Sequence, residues 1–352
     1  MKKEYLELYT DYLIASFGKT TATGLSEILD GEISHDKITR FLGTEDYTSK
    51  ELWQLVKKEV RAIEEEDGVL IFDDTVQEKQ YSKESELICS HYDHVFNRNI
   101  KGINLLNCVY QASGVSLPIA FELVKKPIQF SDLKTKKQKR KSEVTKNEML
   151  RNMLKTCQQN QVKWRYLLAD SWFSSSENME YVAKTLKKYF LLALKSNRLV
   201  ALSLEDKKEG CFNRIDSLDW KEDKPIKGWI RGLDFPVLLH RQIFTNKDGS
   251  IGILYLITND LDLTTTKIET IYQKRWSVEV FHKNIKSNTA LAKSPTSTVR
   301  TQSNHVFMSI YASAKLEILA IKHKVNTFAL RAKIYISAVK NAFFQLGKLN
   351  CA

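Results

Sequence analysis

Val69-Leu-Ile-Phe-Asp-Asp-Thr75 is a short apolar run that stops at two acids. A continuous run this short, bounded by polar residues, marks a strand buried on both faces. Tyr166-Leu-Leu-Ala-Asp170 repeats the pattern, again with an acid at the C-terminal end. In open α/β sheets, ligands bind outside the carboxyl ends of the strands. An apolar strand also fixes a terminal carboxylate rigidly, as a metal site requires. Aspartate is common in turns after strands, so neither acid identifies a site by itself. Both Asp73 and Asp74 qualify as the acid that closes the first strand.

Residues 102–112 and 117–124 read as two further strands, split by the turn Ser113-Gly114, and with the first strand they make a meander. A basic stretch at 132–146, with Lys134, Lys136, Lys137, Lys139, Arg140, Lys141 and Lys146, reads as a solvated loop followed by a helix to about residue 159. After Asp170, Ser175 or Ser176 can cap a helix running to about residue 188, with Glu177 and Glu180 in its first turns. Residues 189–194 are the next strand, so this strand–helix–strand unit predicts parallel pairing with a right-handed crossover.

Residues 198–262 change texture. Short β-like runs at 236–244 and 251–258 flank the turn signal Asn246-Lys-Asp-Gly249. One helix is predicted from about 266 to 286, and more helix over 302–346. Upstream, residues 1–62 read as helical. Thr23 to Gly31, then Ser34-His-Asp-Lys-Ile-Thr-Arg-Phe-Leu42, has the form helix, short turn, helix, with Ser34 as an N-cap. Such a pair has the shape of a helix-turn-helix DNA reader, and also of an ordinary helical hairpin. The predicted division is 1–62, a helical N-terminal DNA-binding region; 63–197, the first part of a catalytic core; 198–262, a β-rich insertion; and 263–352, the completion of the core with C-terminal helices.

The chain has 352 residues, 43% of them apolar, enough for a full core. Its 54 Lys and Arg against 42 Asp and Glu give a formal charge of +12, the balance of a protein with a polyanionic partner. Cys89, Cys108, Cys157, Cys211 and Cys351 are spread too widely for zinc-type spacing and fit a reducing cytosol. The start, MKKEYLELYTDYLIASFG, has no uninterrupted apolar segment, and no run approaches the roughly 18 apolar residues of a membrane span. A cytoplasmic protein with no membrane partner is expected.

Tyr272-Gln-Lys-Arg275-Trp-Ser-Val-Glu279-Val-Phe-His-Lys283-Asn-Ile-Lys286 is the most specific segment. On one continuous helix, Tyr272, Arg275, Glu279, Lys283 and Lys286 fall within about 80° of arc. Ile271, Val278, Phe281 and Ile285 form a separate apolar arc that packs on the sheet. A carboxylate bracketed by cations suits a metal with phosphates on either side. Phosphodiester transfer puts charge on the attacking and leaving oxygens. Two Mg²⁺ or Mn²⁺ ions about 3.5–4 Å apart clamp both, and carboxylates are the ligands hard cations prefer.

The spacing Tyr272-x2-Arg275-x3-Glu279-x6-Lys286 resembles the signature of a large group of bacterial insertion-sequence DDE transposases, and Glu279-Val-Phe-His-Lys283 extends the likeness. The resemblance covers about residues 66–290. It implies an RNase H-like α/β fold, a mixed sheet flanked by helices with a β-rich insertion before the last catalytic helix. It implies a triad of Asp73, Asp170 and Glu279 holding two divalent metal ions, Mg²⁺ or Mn²⁺, with Asp74 the alternative first ligand. It implies that Tyr272, Arg275, Lys283 and Lys286 contact DNA phosphates. The implied activity is metal-dependent cleavage at insertion-sequence ends and strand transfer into target DNA. The implied partners are double-stranded DNA, as terminal inverted repeats and target, and a second copy in a homodimeric DNA complex. An RNase H-like nuclease or resolvase and a catalytically silent DNA-binding derivative are the alternatives. His91 and His94 invite a metal reading, but two ligands are too few. Trp220 and Trp229, in the insertion, are candidates for holding a flipped base or for plain packing.

Overall fold

The computed structural model describes residues 2–93, 97–133, 136–220, 224–246 and 248–350. Four helices open the chain: α1 (Lys2–Ala15), α2 (Ala22–Ile28), α3 (His35–Thr44) and α4 (Ser49–Ile63). Thr48 and Glu51 close a reciprocal capping box on α4, which satisfies two of its orphan N-terminal donors. The strands β1 (Val69–Glu78), β2 (Cys89–Asp93), β3 (Arg98–Ala112) and β4 (Val115–Leu123) follow, then the hairpin β5 (Ile128–Ser131) and β6 (Gln138–Lys141). The predicted solvated loop at 132–146 is thus largely this exposed hairpin, and Lys134 lies outside the described residues.

Next come α5 (Lys146–Gln159), β7 (Tyr166–Ala169), α6 (Ser176–Glu180) and β8 (Tyr189–Leu194). Then follow β9 (Leu199–Ala201), α7 (Leu204–Glu209), β10 (Asn213–Arg214), β11 (Ile226–Ile230), β12 (Val237–Thr245) and β13 (Ile251–Thr258). The chain ends in α8 (Thr265–Gln273), α9 (Trp276–Ser287), α10 (Val299–Lys322) and α11 (Thr327–Asn350).

One mixed sheet of 11 strands runs β10-β9-β11-β12-β13-β8-β7-β1-β3-β2, with β4 also on β3. The expected meander is present as β1, β3 and β4. Sequence reading missed β2, which pairs with the first residues of β3. Both βαβ steps give parallel pairs, β1 with β7 and β7 with β8. The inserted strands are not a separate layer, because β13 pairs antiparallel with β8 and carries the sheet onward.

Val69 to Phe72 are fully buried. They are hydrogen-bonded by β3 on one edge and β7 on the other, which is why the sequence is apolar without alternation there. Gly102 lies where β3 passes from β2 to β1, and a Cβ there would collide with the Gln77 carbonyl. Helices flank the sheet: α9 lies on β1 and β3, and α4 and α10 lie on β4. The N-terminal helices share this core, since α1, α3 and α4 all pack on α10. No described helix is long and apolar enough to cross a membrane.

Candidate active site

Sheet register brings together the two aspartates that close the apolar runs. Phe72 is the parallel partner of Ala169, so Asp73 and Asp170, the next residues, lie side by side where β7 ends, although β1 itself does not stop at Asp73 as its sequence suggests but continues along β3 to Glu78. Glu279 approaches from α9, which packs on β1. The ligand atoms of Asp73, Glu279 and His282 all lie within 4.8 Å of one another. Asp170 is outside that tight group, but its charge acts on Asp73.

The helix carrying Glu279 departs from the prediction. The segment 266–286 is two helices, not one. Lys274 and Arg275 form a tight turn in which Arg275 N–H donates to the Tyr272 carbonyl at 2.9 Å and Val278 N–H to the Arg275 carbonyl at 3.1 Å. These bonds span three residues, the 3₁₀ pattern, so the single 100° wheel does not hold across the junction. Tyr272 is therefore buried rather than part of a surface stripe, and its hydroxyl points at the Ala169 carbonyl at 3.4 Å. Arg275, at the junction, reaches Glu279 at 3.4 Å and Asp73 at 3.7 Å. Lys286 donates to the Thr75 hydroxyl at 2.6 Å, further along β1. Lys283 does not join this cluster but is turned toward α11, its ammonium 5.3 Å from the centre of the Phe328 ring.

The two adjacent aspartates of β1 have different surroundings. Asp74 is neutralised: Lys146 Nζ lies 2.9 Å from both its oxygens, and the Asn104 amide donates to it at 2.7 Å. Among the described residues, Asp73 accepts only the Asp74 backbone N–H, at 2.9 Å, and Arg275 is the one cation within ion-pair distance of it. Burial, and then the charges of Asp170 and Glu279, push its carboxyl up to about 8. Burial raises Asp170 also, opposed by the N–H of Trp172, which donates to its carboxylate at 2.9 Å.

Three contributors escaped sequence reading. Lys146 lay in the supposed loop yet pairs with Asp74. Asn107 faces Asp73 in the register of β3 and sits 3.0 Å from His282 Nε2. His282 is buried, and burial holds its ring neutral, down to about 3. Its position three residues after Glu279 in the motif was the available signal. The register of Asn107 gave none.

Three buried or half-buried carboxylates around one guanidinium are an excess of hard oxygen donors, the kind of shell that Mg²⁺ or Mn²⁺ takes. The unpartnered Asn107 Oδ1, buried beside them, adds to that excess. The residues therefore fit divalent ions.

Elsewhere the candidates fall away. Trp220 is in the core, its indole N–H donating to the Ile215 carbonyl at 3.1 Å, which is the packing role of its two readings. Trp229 is half-buried. His91 is buried with Cys89 Sγ 3.4 Å from Nε2, while His94 lies outside the described residues.

Comparison with known proteins identifies the family. Residues 1–207 match the family model of the DDE superfamily endonucleases, and residues 135–314 match that of the transposase DDE domain. The first match spans Asp73 and Asp170, and the second spans Asp170 and Glu279. No curated protein matches the chain. The mixed sheet flanked by helices is compatible with an RNase H-like arrangement. Each match covers more than half of the 352 residues, and the chain belongs to the DDE transposases.

Proposed function

We propose that this protein cuts DNA at the ends of an insertion sequence and joins the freed 3′-hydroxyl to target DNA, using Asp73, Asp170 and Glu279 to hold two divalent ions. The observation that carries this reading is the pair of aspartates aligned on neighbouring strands and facing Glu279, with Arg275 as the close counter-charge. Asp73, rather than Asp74, is the first ligand, because Asp74 is already engaged by Lys146 and Asn104. When bound, the ions activate water or a 3′-hydroxyl and offset charge on the attacking and leaving oxygens.

The chain's own groups then have separate tasks. Arg275 presents a planar fork of donors to a phosphate beside the carboxylates. Tyr272 packs beneath it, the guanidinium 5.8 Å from the ring centre, and limits where the fork can point. Lys286 places a charge one step along β1, and Lys283 contacts a phosphate further out. The exposed α3 residues Lys37, Thr39 and Arg40 belong to the region proposed to read sequence, because phosphate contacts position a protein without identifying bases. Two copies act together on paired ends.

The test uses duplex DNA carrying the inverted repeats that border the gene, a supercoiled target plasmid, and Mg²⁺ or Mn²⁺. Metal-dependent cleavage at the repeat followed by covalent joining to the plasmid is expected. Cleavage of any duplex without joining would replace this reading with a general nuclease.

A further inference from the structure

A second group of cations lies at the far end of β1. A groove of about 470 Å³ is bordered by Lys19, Lys79 and Lys293, with Gln80, Ser82 and Ser294. Lys79 is half-buried and donates to the carbonyls of Ala292 at 3.3 Å and Ser294 at 3.1 Å. Lys293 donates to the Phe17 carbonyl at 2.8 Å. Among the described residues no carboxylate lies within ion-pair distance of either ammonium. Glu78, the one acid on the rim, faces Arg98 at 3.6 Å. Each ammonium has three donors, so Lys79 keeps one for a ligand and Lys293 two.

Half-buried cations held by carbonyls alone form a preorganised site for an anion. Their place in the fold says which anion. α9 runs along β1, tied to it where Lys286 meets Thr75, and the segment after α9 meets β1 again at Lys79. The cations Arg275, Lys286, Lys79 and Lys293 thus follow one seam away from the carboxylates. Six residues of extended strand, from Asp73 to Lys79, span about 20 Å, or roughly six base pairs of duplex at 3.4 Å each.

We propose that the Lys19–Lys79–Lys293 groove binds the sugar–phosphate backbone of the duplex about six base pairs from the cleaved phosphate. This rests on the reading of the carboxylate centre as a DNA-cutting site. It adds a sequence-independent clamp outside that centre.

The experiment measures binding in metal-free buffer, by fluorescence anisotropy, of a duplex of about 20 base pairs and a hairpin-closed duplex of about four. Lys79→Gln with Lys293→Ala should weaken the long duplex on the order of tenfold and leave the short one unchanged, because only the long one reaches the groove. The slope of log affinity against log salt should fall by about 1.8, two phosphates' worth. Lys19→Ala, at an exposed residue, should give a smaller loss of the same kind and guards against misfolding of the double variant. Equal affinities of wild type and both variants for the long duplex would overturn the proposal. So would Lys79-dependent binding of inorganic phosphate with no change in duplex affinity, since the groove would then hold a free anion. A wild type that cuts the repeat while the variants bind like it removes the clamp and leaves the nuclease reading intact. A wild type that shows the length-dependent loss without ever cutting keeps the clamp and removes that reading.

Discussion

Asn304 on α10 and Asp73 on β1 are both polar side chains deep in the molecule, with opposite surroundings. Asn304 is fully buried and satisfied: its amide donates to the carbonyls of Leu42 at 2.7 Å and Glu45 at 2.6 Å and accepts from Tyr47 N–H at 3.2 Å. Nearby on the same helix, His305 bridges Tyr9 and the Ala290 carbonyl, and Ser313 accepts from Asn284. These bonds fasten the N-terminal helices and α9 to α10. Asp73 is surrounded instead by like charge. A buried polar group whose partners are all present serves the structure, whereas one left in conflict stores free energy that a ligand can release.

The largest effect separates the two regions by function. Asp73→Ala, Asp170→Ala or Glu279→Ala should each lower metal-dependent cleavage by about 10³-fold or more, the several kcal/mol that metal stabilisation supplies. DNA affinity and melting temperature should hold or rise, because the change removes repulsion. Asp74→Ala should keep most of the cleavage. A dead Asp74→Ala beside an active Asp73→Ala, in the same gel assay, would move the first ligand by one residue.

Asn304→Ala should act in the opposite direction. It leaves two carbonyls and an N–H without their partner, and each such loss costs about 1–3 kcal/mol. A drop of roughly 3 kcal/mol or more in urea unfolding is expected, with cleavage per folded molecule unchanged. A change below about 0.5 kcal/mol would place Asn304 with ordinary surface residues and blunt the contrast.

Titration should distinguish the two regions by sign. Asp73's folded value, about 8, lies above its unfolded one. Its contribution to stability is therefore fully present below the unfolded value near 3.9 and is lost as pH rises through 8. His305, pushed down to about 4 by burial, does the reverse. Its contribution is present above the unfolded value near 6.5 and is lost as pH falls toward 4. Divalent ions need the ionised Asp73, so their affinity should climb with pH up to about 8, by up to tenfold per unit, with proton release on binding. Calorimetric titration in two buffers of different ionisation heat measures that release. An affinity flat between pH 6 and 8, or one unchanged by Asp73→Asn, contradicts the assignment.

Much of the centre was legible because strand patterning and motif spacing are local. The apolar runs ending at Asp73 and Asp170 located two carboxylates, and the Tyr272-to-Lys286 spacing located the third. What was not legible depends on pairing between distant segments. The antiparallel register that sets Asn107 opposite Asp73 leaves no trace in either strand alone. The turn at Lys274 and Arg275 has no glycine or proline to announce it, so a periodic sequence read as one helix. The turn-rich texture of 198–262 marked a β-rich insertion, but nothing local in it says that β13 pairs with β8 and extends the sheet.

The smallest expected effect on stability concerns α3. Ile38, Phe41 and Leu42 are buried on this helix, while Lys37, Thr39 and Arg40 face outward. Deleting the N-terminal helices would expose α10 and the satisfied polar network, so a truncated core cannot tell reading from packing. Substituting Lys37, Thr39 and Arg40 together with Ala leaves the apolar face intact, and surface changes of this kind shift stability by about 0.5 kcal/mol or less. If α3 reads bases, the ratio of affinity for the terminal repeat to affinity for random duplex should fall by about tenfold or more, since a good base contact contributes about 1–3 kcal/mol. If α3 only meets phosphates, both affinities should fall together and the ratio should hold. Competition binding with the two duplexes, at one salt concentration, measures that ratio directly. An unchanged ratio would return α3 to the structural side of the comparison, alongside Asn304, and leave sequence recognition to some other part of the chain.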